Sequence, residues 1–278
     1  MNETAVSPIL DVQGLEVHFG PLSDPVRAVD QVDFQIFPRE IVALVGESGS
    51  GKSISALSIA NLIPRPAGRI MGGKIFFHPP SPEGSGVTGA LEILGLNDSE
   101  LRKIRGEKIA YIFQEPATSL NPVFTVGWQV GEAVRLHRKG VKVKAEVGKL
   151  LADVGLPDPK HTAKAYPHEL SGGMQQRAMI AMALACDPDL LVADEPTTAL
   201  DVTVQKQILE LLVELRDTRE LSILLITHNL GIVADVADRV YVMNNGKMVE
   251  SGETRSVLTN PQHDYTKKLL AAVPRLHK

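Results

Sequence analysis

The sequence predicts an α/β fold: a parallel sheet with helices on its faces, an antiparallel β subdomain near the N-terminus and an inserted all-helical stretch. Three observations predict it. Short apolar runs bounded by polar residues, Ile41–Val45, Leu190–Ala193 and Ser222–Thr227, read as strands buried on both faces. Segments with helical periodicity, such as Val204–Arg219 and Leu230–Val236, alternate with those runs. Between about 126 and 186 the pattern is helical only, with no strand-like run.

Taken in order, Leu15, Val17 and Phe19, then Val29, Val32, Phe34 and Ile36, alternate with polar residues. They predict two half-buried antiparallel strands over 9–19 and 26–37, separated by the turn at 20–25. Ile41–Val45 leads into Gly46-Glu47-Ser48-Gly49-Ser50-Gly51-Lys52-Ser53, followed by an apolar-periodic helix that Pro64 stops. Ile70–Phe77 reads as a strand. The Pro/Gly/Ser-rich loop at 78–90 is expected to be a solvent-exposed insertion without a catalytic role. Asp98–Arg105 reads as a short helix, Ile109–Phe113 as a buried strand ending at Gln114, and Val126–His137 and Lys142–Val154 as helices. After Leu190–Ala193, helix 204–219, strand 222–227 and helix 230–236 come the strand Arg239–Met243 and a short helix over Tyr265–Ala272. The expected organisation is a core built from 9–113 and 187–250, a helical subdomain at 114–186 and a tail at 251–278.

Composition narrows the function classes. The 278 residues are 44% apolar, enough for a large core. A net charge of −4 gives no support for general nucleic-acid binding. Cys186 is the single cysteine, so neither a disulfide framework nor a thiolate metal site is available, and a small buried apolar role is expected for it. Residues 1–4 show no basic region before an apolar core, so no leader peptide is expected. The longest apolar stretch, 178–186, is too short to span a bilayer. A membrane role would therefore come through a partner.

The stretch 46–53 matches G-x-x-x-x-G-K-[ST] in the strand–turn–helix context that the pattern requires. Gly46, Gly49 and Gly51 let the backbone approach a ligand, and the N–H groups around Ser48 and Ser50 form an anion nest at a helix N-terminus. Lys52 supplies charge for the β- and γ-phosphates and the Ser53 hydroxyl is suited to Mg²⁺. This chemistry is that of a nucleoside-triphosphate site. The strand 190–193 delivers Asp194 and Glu195 at its C-terminal end, the edge where ligands bind in open α/β sheets. By themselves they also fit a plain turn before Pro196. Beside a phosphate loop, Asp194 suits a metal contact and Glu195 a group that polarises the attacking water.

Ser171-Gly172-Gly173-Met174-Gln175 places a hydroxyl N-cap before two glycines in a first helical turn. There glycine costs roughly 1 kcal/mol each against alanine. A second anion site or a tight turn into an Ala/Met-rich helix both fit. His228, after a strand, gains no role from the pattern alone.

Together these residues resemble the ATP-binding cassette (ABC) ATPases over roughly 9–273. The resemblance implies a P-loop NTPase core of the ABC type, with Gly46–Ser53 as the Walker A loop and Asp194-Glu195 as the Walker B end. It makes Gln114 the Q-loop glutamine that contacts Mg²⁺, Asp201 the D-loop aspartate and His228 the switch histidine at the γ-phosphate. Ser171, Gly172, Gly173 and Gln175 match the signature that acts on a partner's ATP, with Met174 where the family usually has Gln. Phe19 falls where the family places an adenine-stacking aromatic, although its phase with Leu15 and Val17 favours a core role.

Three stretches resemble the ATPases of dipeptide, oligopeptide and nickel importers more narrowly: Phe113–Pro122, Tyr166–Leu170 and Asn260–Thr266. That branch implies ATP and Mg²⁺ as ligands, a second and usually non-identical ATPase, two membrane-spanning permease subunits and an extracytoplasmic binding protein. It implies a peripheral position on the cytoplasmic face of a prokaryotic cell membrane. Members with a cysteine-rich tail hold an iron–sulfur cluster. With no cysteine near the end of this sequence, none is expected. The rival from another class is a soluble ABC ATPase acting on DNA or ribosomes. Its long coiled coils, zinc-binding cysteines or second cassette have no counterpart here. An inactive cassette is disfavoured by the presence of Lys52, Asp194, Glu195 and His228.

Overall fold

Ten strands among the described residues form two sheets. The computed structural model describes residues 7–80, 89–115 and 119–272. Most of the 78–90 loop, part of the Phe113–Pro122 stretch, the N-terminal residues expected to lack a leader and the end of the tail lie outside the described residues. The first sheet contains β1 (Leu10–Phe19), β2 (Val26–Ile36), β4 (Gly68–Phe77) and β5 (Leu91–Glu92) in the order β2-β1-β4-β5. All its pairings are antiparallel. The second contains β3 (Ile41–Val45), β6 (Ile109–Ile112), β7 (Leu190–Asp194), β8 (Ser222–Thr227), β9 (Arg239–Asn244) and β10 (Lys247–Glu253), ordered β10-β9-β3-β8-β7-β6. It is parallel from β9 to β6, with β10 antiparallel on its edge.

The continuous apolar runs have a direct cause. In β3, every residue is buried, and alternate side chains serve different cores. Val42 and Leu44 pack with Val192, Leu224 and Ile226 toward the antiparallel sheet. Ile41 packs on the opposite face with Leu191, Ile223, Leu225 and the helical region. Ala43 and Val45 meet a third cluster built with Leu230, Val233 and Val257. A strand covered on both faces needs no polar alternation.

The helices are α1 (Lys52–Ile59), α2 (Asp98–Ile104), α3 (Val126–His137), α4 (Val143–Asp153), α5 (Pro159–Thr162), α6 (Gly172–Ala183), α7 (Val202–Arg219), α8 (Leu230–Val236), α9 (Thr254–Thr259) and α10 (Asp264–Ala271). Helix α1 ends well before Pro64, because Asn61 takes a left-handed φ of 52°. Strands β5 and β10 have no counterpart in the sequence expectation, whereas helix α9 falls in the tail expected to be helical. The pattern Lys247–Glu253 is mostly half-exposed and carries a glycine, and it becomes a strand by pairing with β9. Cys186 is partly buried beside the helical core, and burial pushes its thiol up to about 11. At the junction between helices and sheet, Asp187 binds Arg138 and Arg219, and Arg219 also binds Asp153. Such half-exposed pairs contribute little singly, but a network fixes orientation.

Two glycines in the helical region separate packing from propensity. At Gly127 an added Cβ would stand 2.5 Å from the Ala163 carbonyl oxygen and 2.8 Å from its Cβ, whereas at Gly148 it would meet open space. Gly127→Ala should therefore destabilise the chain by about 1–3 kcal/mol, overpacking outweighing the helix-propensity gain. Gly148→Ala should stabilise it by up to about 1 kcal/mol. Urea unfolding of the two variants checks both signs.

Candidate functional site

Three parallel strands bring their C-terminal ends to one edge. Val45 lies opposite Thr227, and Asp194 opposite Ile226. The phosphate loop, His228 and the Asp194-Glu195 pair therefore leave the sheet side by side. The loop and Glu195 border a cleft of about 350 Å³ lined by Phe19, Ala28, Ser48, Gly49, Gly51, Lys52, Ser53, Ile54, Gln114 and Glu195.

The loop's glycines are required for different reasons. A Cβ on Gly46 would lie 2.2 Å from the Met243 carbonyl oxygen, and one on Gly51, at φ 106°, would lie 2.5 Å from that of Ala28. Gly51 is also the N-cap of α1, and no side chain caps that helix. Its first N–H groups are left for an anion. Lys52 is buried, and its Nζ donates to the carbonyls of Gly46 (2.7 Å) and Glu47 (2.8 Å). Burial lowers the Lys52 pKa, opposed by the nearby charges of Glu195 and Asp194.

The two carboxylates differ in environment. Ser53 Oγ donates to Asp194 Oδ1 at 3.1 Å. Burial raises the Asp194 pKa, and the neighbouring Glu195 charge adds to it against the Ser53 hydrogen bond and Lys52. Ser53 and Asp194 supply two hard oxygens, the small protein share that Mg²⁺ takes when phosphates and waters complete its shell. The donor set thus fits the ion. Glu195 is the hub of the site. Its Oε2 accepts from Thr198 Oγ1 (2.8 Å) and Gln114 Nε2 (3.1 Å), and its Oε1 lies 3.1 Å from His228 Nδ1. Burial works to raise its pKa, but the Thr198 and His228 hydrogen bonds and the charges of His228 and Lys52 outweigh it and hold the carboxyl below its ordinary value. Its backbone sits at φ 48°, and Ala199 follows at φ 63°. Two non-glycine residues in the left-handed region make this a strained turn.

Phe19 packs against the core of the antiparallel sheet and also lies at the cleft. Its half-buried ring lines the cleft and packs on Gly68, where an added Cβ would come within 2.7 Å of the ring. Gln114 meets Glu195 directly. None of Ser171, Gly172, Gly173, Gln175 and Asp201 lines this cleft. Ser171 caps α6 by accepting from Met174 N, and Ser171 and Gly172 are exposed. Gly173 has a packing reason that the sequence does not disclose, because its Cβ would lie 2.7 Å from Val204 Cγ1 of α7. Asp201 caps α7 through Val204 N at 3.0 Å.

Gln175 belongs to a device that occurs three times among the described residues. In α3, α6 and α7 a glutamine four residues after the N-cap turns its amide back to the preceding loop. Gln129 Nε2 donates to the carbonyls of Asn121 and Phe124, Gln175 to those of Pro167 and Leu170, and Gln205 to those of Thr197 and Leu200. Each clamp closes the turn that enters its helix. In α7 the clamped turn carries Thr198, and through it the rotamer of Glu195. Sequence reasoning missed Thr198 and Gln205, although a shared Gln offset from three caps is visible in the sequence.

Thr198→Val removes one hydrogen bond that favours the ionised Glu195 while keeping the side-chain volume. The Glu195 pKa should move upward. Activity that needs the carboxylate is present above that pKa and lost as pH falls through it. The acid limb of the pH–rate profile of a reaction that uses the ionised carboxylate should therefore shift to higher pH. An unshifted limb in the variant would contradict the role given to Thr198.

The profile of the ABC transporter family matches residues 29–198, and that of the oligopeptide/dipeptide transporter C-terminal region matches 249–278. The dipeptide transport ATP-binding protein DppD of Bacillus subtilis is 49% identical over 270 residues, covering 96% of this chain and 77% of that protein. The peptidoglycan transport ATP-binding protein YejF of Agrobacterium fabrum is 52% identical over 277 residues, covering 99% of this chain and 49% of the relative. Among solved structures, an ATP-binding cassette dimer in a post-hydrolysis state with ADP and Pi superposes with a TM-score of 0.75 at 26% identity, covering 88% of this chain and 99% of that one. This chain belongs to the ABC transporter ATPase family, in the branch that carries the oligopeptide/dipeptide C-terminal region.

Proposed function

We propose that the chain is the ATP-hydrolysing subunit of an importer that takes up peptides through partner membrane subunits. The observation that carries the hydrolytic part is the convergence of Gln114, Thr198 and His228 on Glu195 at the edge where Lys52 ends its loop. The peptide cargo rests on relatives whose names specify dipeptide and peptidoglycan transport. Among the described residues no helix is long and apolar enough to cross a membrane, so other subunits form the path. These are two permeases, fed by an extracytoplasmic binding protein, with the ATPases docked on the cytoplasmic face.

The bound triphosphate takes the place of the loop's own contacts. Lys52 exchanges the Gly46 and Glu47 carbonyls for phosphate oxygens, and the free amides at the start of α1 meet the same groups. Ser53 and Asp194 would hold Mg²⁺, with Gln114 beside it, and the ion would supply positive charge to neutralise the phosphates. Phe19 offers its ring to the base. A carboxylate held below its ordinary pKa is a weak proton acceptor and a good orienting acceptor. Glu195 therefore aligns the water that attacks the γ-phosphorus as the bond to ADP breaks, with His228 steadying both the carboxylate and the γ-phosphate.

The signature residues Ser171, Gly172, Gly173 and Gln175, with Asp201, serve the cleft of a second, non-identical cassette. Ser171 and Gly172 lie exposed at the start of α6 and away from this chain's own cleft. Binding closes the pair and hydrolysis releases it, an equilibrium biased by γ-phosphate contacts. The domain division proposed from the sequence, 9–113 with 187–250, then 114–186 and 251–278, puts the phosphate loop and the signature in different units of the same chain, so that each can meet its counterpart on the second cassette.

The test uses the assembled transporter, purified through the tagged chain from mildly solubilised membranes. Two multi-spanning proteins and a second cassette should co-purify. Glu195→Gln should keep them while lowering ATP turnover by roughly 100-fold or more and stopping peptide uptake. Unchanged turnover would remove the catalytic assignment, and recovery of only ribosomal or DNA-bound partners would remove transport.

A further inference from the structure

The C-terminal segment touches the nucleotide site. Tyr265, in the first turn of α10, accepts a hydrogen bond on its hydroxyl from the Glu47 N–H at 2.9 Å. That N–H belongs to the peptide unit whose carbonyl, on Gly46, accepts from Lys52 Nζ at 2.7 Å. A peptide unit is planar, so fixing the direction of its N–H fixes that of its C=O. One hydroxyl thus sets the orientation of the carbonyl on which the phosphate-binding lysine rests.

The support behind Tyr265 is built from both strand and helix. Glu250 of β10 accepts from the backbone N–H groups of Gln262 (2.7 Å) and His263 (3.1 Å). His263 in turn caps α10, its Nδ1 accepting from Tyr265 N at 3.1 Å. The Tyr265 ring packs against the cluster that contains Ala43 and Val45 of β3, the strand that feeds the loop. Ring and hydroxyl therefore act separately: the ring docks the helix on the sheet, and the hydroxyl reaches the loop.

We infer that Tyr265 is a positioning residue for nucleotide binding, and that the C-terminal helix sets the affinity for MgATP by holding the Gly46–Glu47 peptide through the tyrosine hydroxyl. The inference rests on the reading of the loop as an ATP site. Once Lys52 has left the Gly46 carbonyl for phosphate, the hydroxyl is the contact that still fixes this peptide unit, and without it binding must order the unit as well. The effect falls on binding, since Tyr265 is not among the residues lining the cleft.

Tyr265→Phe keeps the ring and removes the hydroxyl. In the purified full chain, the Kd for MgATP by calorimetry and the KM of ATP hydrolysis should rise roughly 3- to 10-fold, the scale of one lost hydrogen bond. The change in kcat should be smaller, and the thermal midpoint should fall by no more than about 4 °C. Glu250→Gln weakens the clamp on Gln262 and His263 with Tyr265 intact, and should shift Kd in the same direction by less. If wild type binds MgATP and Tyr265→Phe binds it equally well, the positioning role is overturned and the ATP reading stands. If wild type itself shows no MgATP binding, the reading of the loop fails and the inference with it.

Discussion

Parallel hydrogen bonding among β3, β8 and β7 sets Val45 against Thr227 and Ile226 against Asp194. Because the strands run the same way and stay in register, three chain segments from distant parts of the sequence leave the sheet at one height. The phosphate loop, His228 and the two carboxylates owe their proximity to that register. A slip of one residue would reverse which face each side chain meets. The two-sided burial of these strands opposes any slip, since alternate residues of β3 are committed to different cores. Core packing and site geometry are here consequences of the same pairing.

On that frame the site is held by short-range clamps. Glu195 is held in a left-handed turn by Thr198, Gln114 and His228, and the turn is closed by the amide of Gln205. The same glutamine device closes the turns that enter α3 and α6. Part-buried amides with both carbonyl partners in place are costly to disturb. Each of these helix starts therefore has a defined loop in front of it, and the loop before α7 carries Thr198, which meets Glu195.

Much of this was legible in the sequence because it is local. The strand, glycine turn and helix around Gly46–Ser53 are contiguous, and the doubly buried strands announce themselves as unbroken apolar runs. The β10 strand was not legible: Lys247–Glu253 has no clean alternation and is made a strand by its neighbour β9. Gly173 read as a residue that stability would not choose, whereas Val204 of α7 stands where its Cβ would go. The Tyr265–Glu47 hydrogen bond joins residues 218 positions apart, with no periodicity to signal it. Side-chain contacts onto backbone across such separations are properties of the fold, not of any window of sequence.

The most direct measurement is an experimental structure of the Glu195→Gln chain with MgATP. Lys52 Nζ should have left the Gly46 and Glu47 carbonyls for the β- and γ-phosphates, with the metal on Ser53 and Asp194 and the γ-phosphate within hydrogen-bond reach of His228. A nucleotide bound elsewhere, or seated in the cleft with Lys52 still on its two carbonyls, would contradict the placement of ATP at this sheet edge.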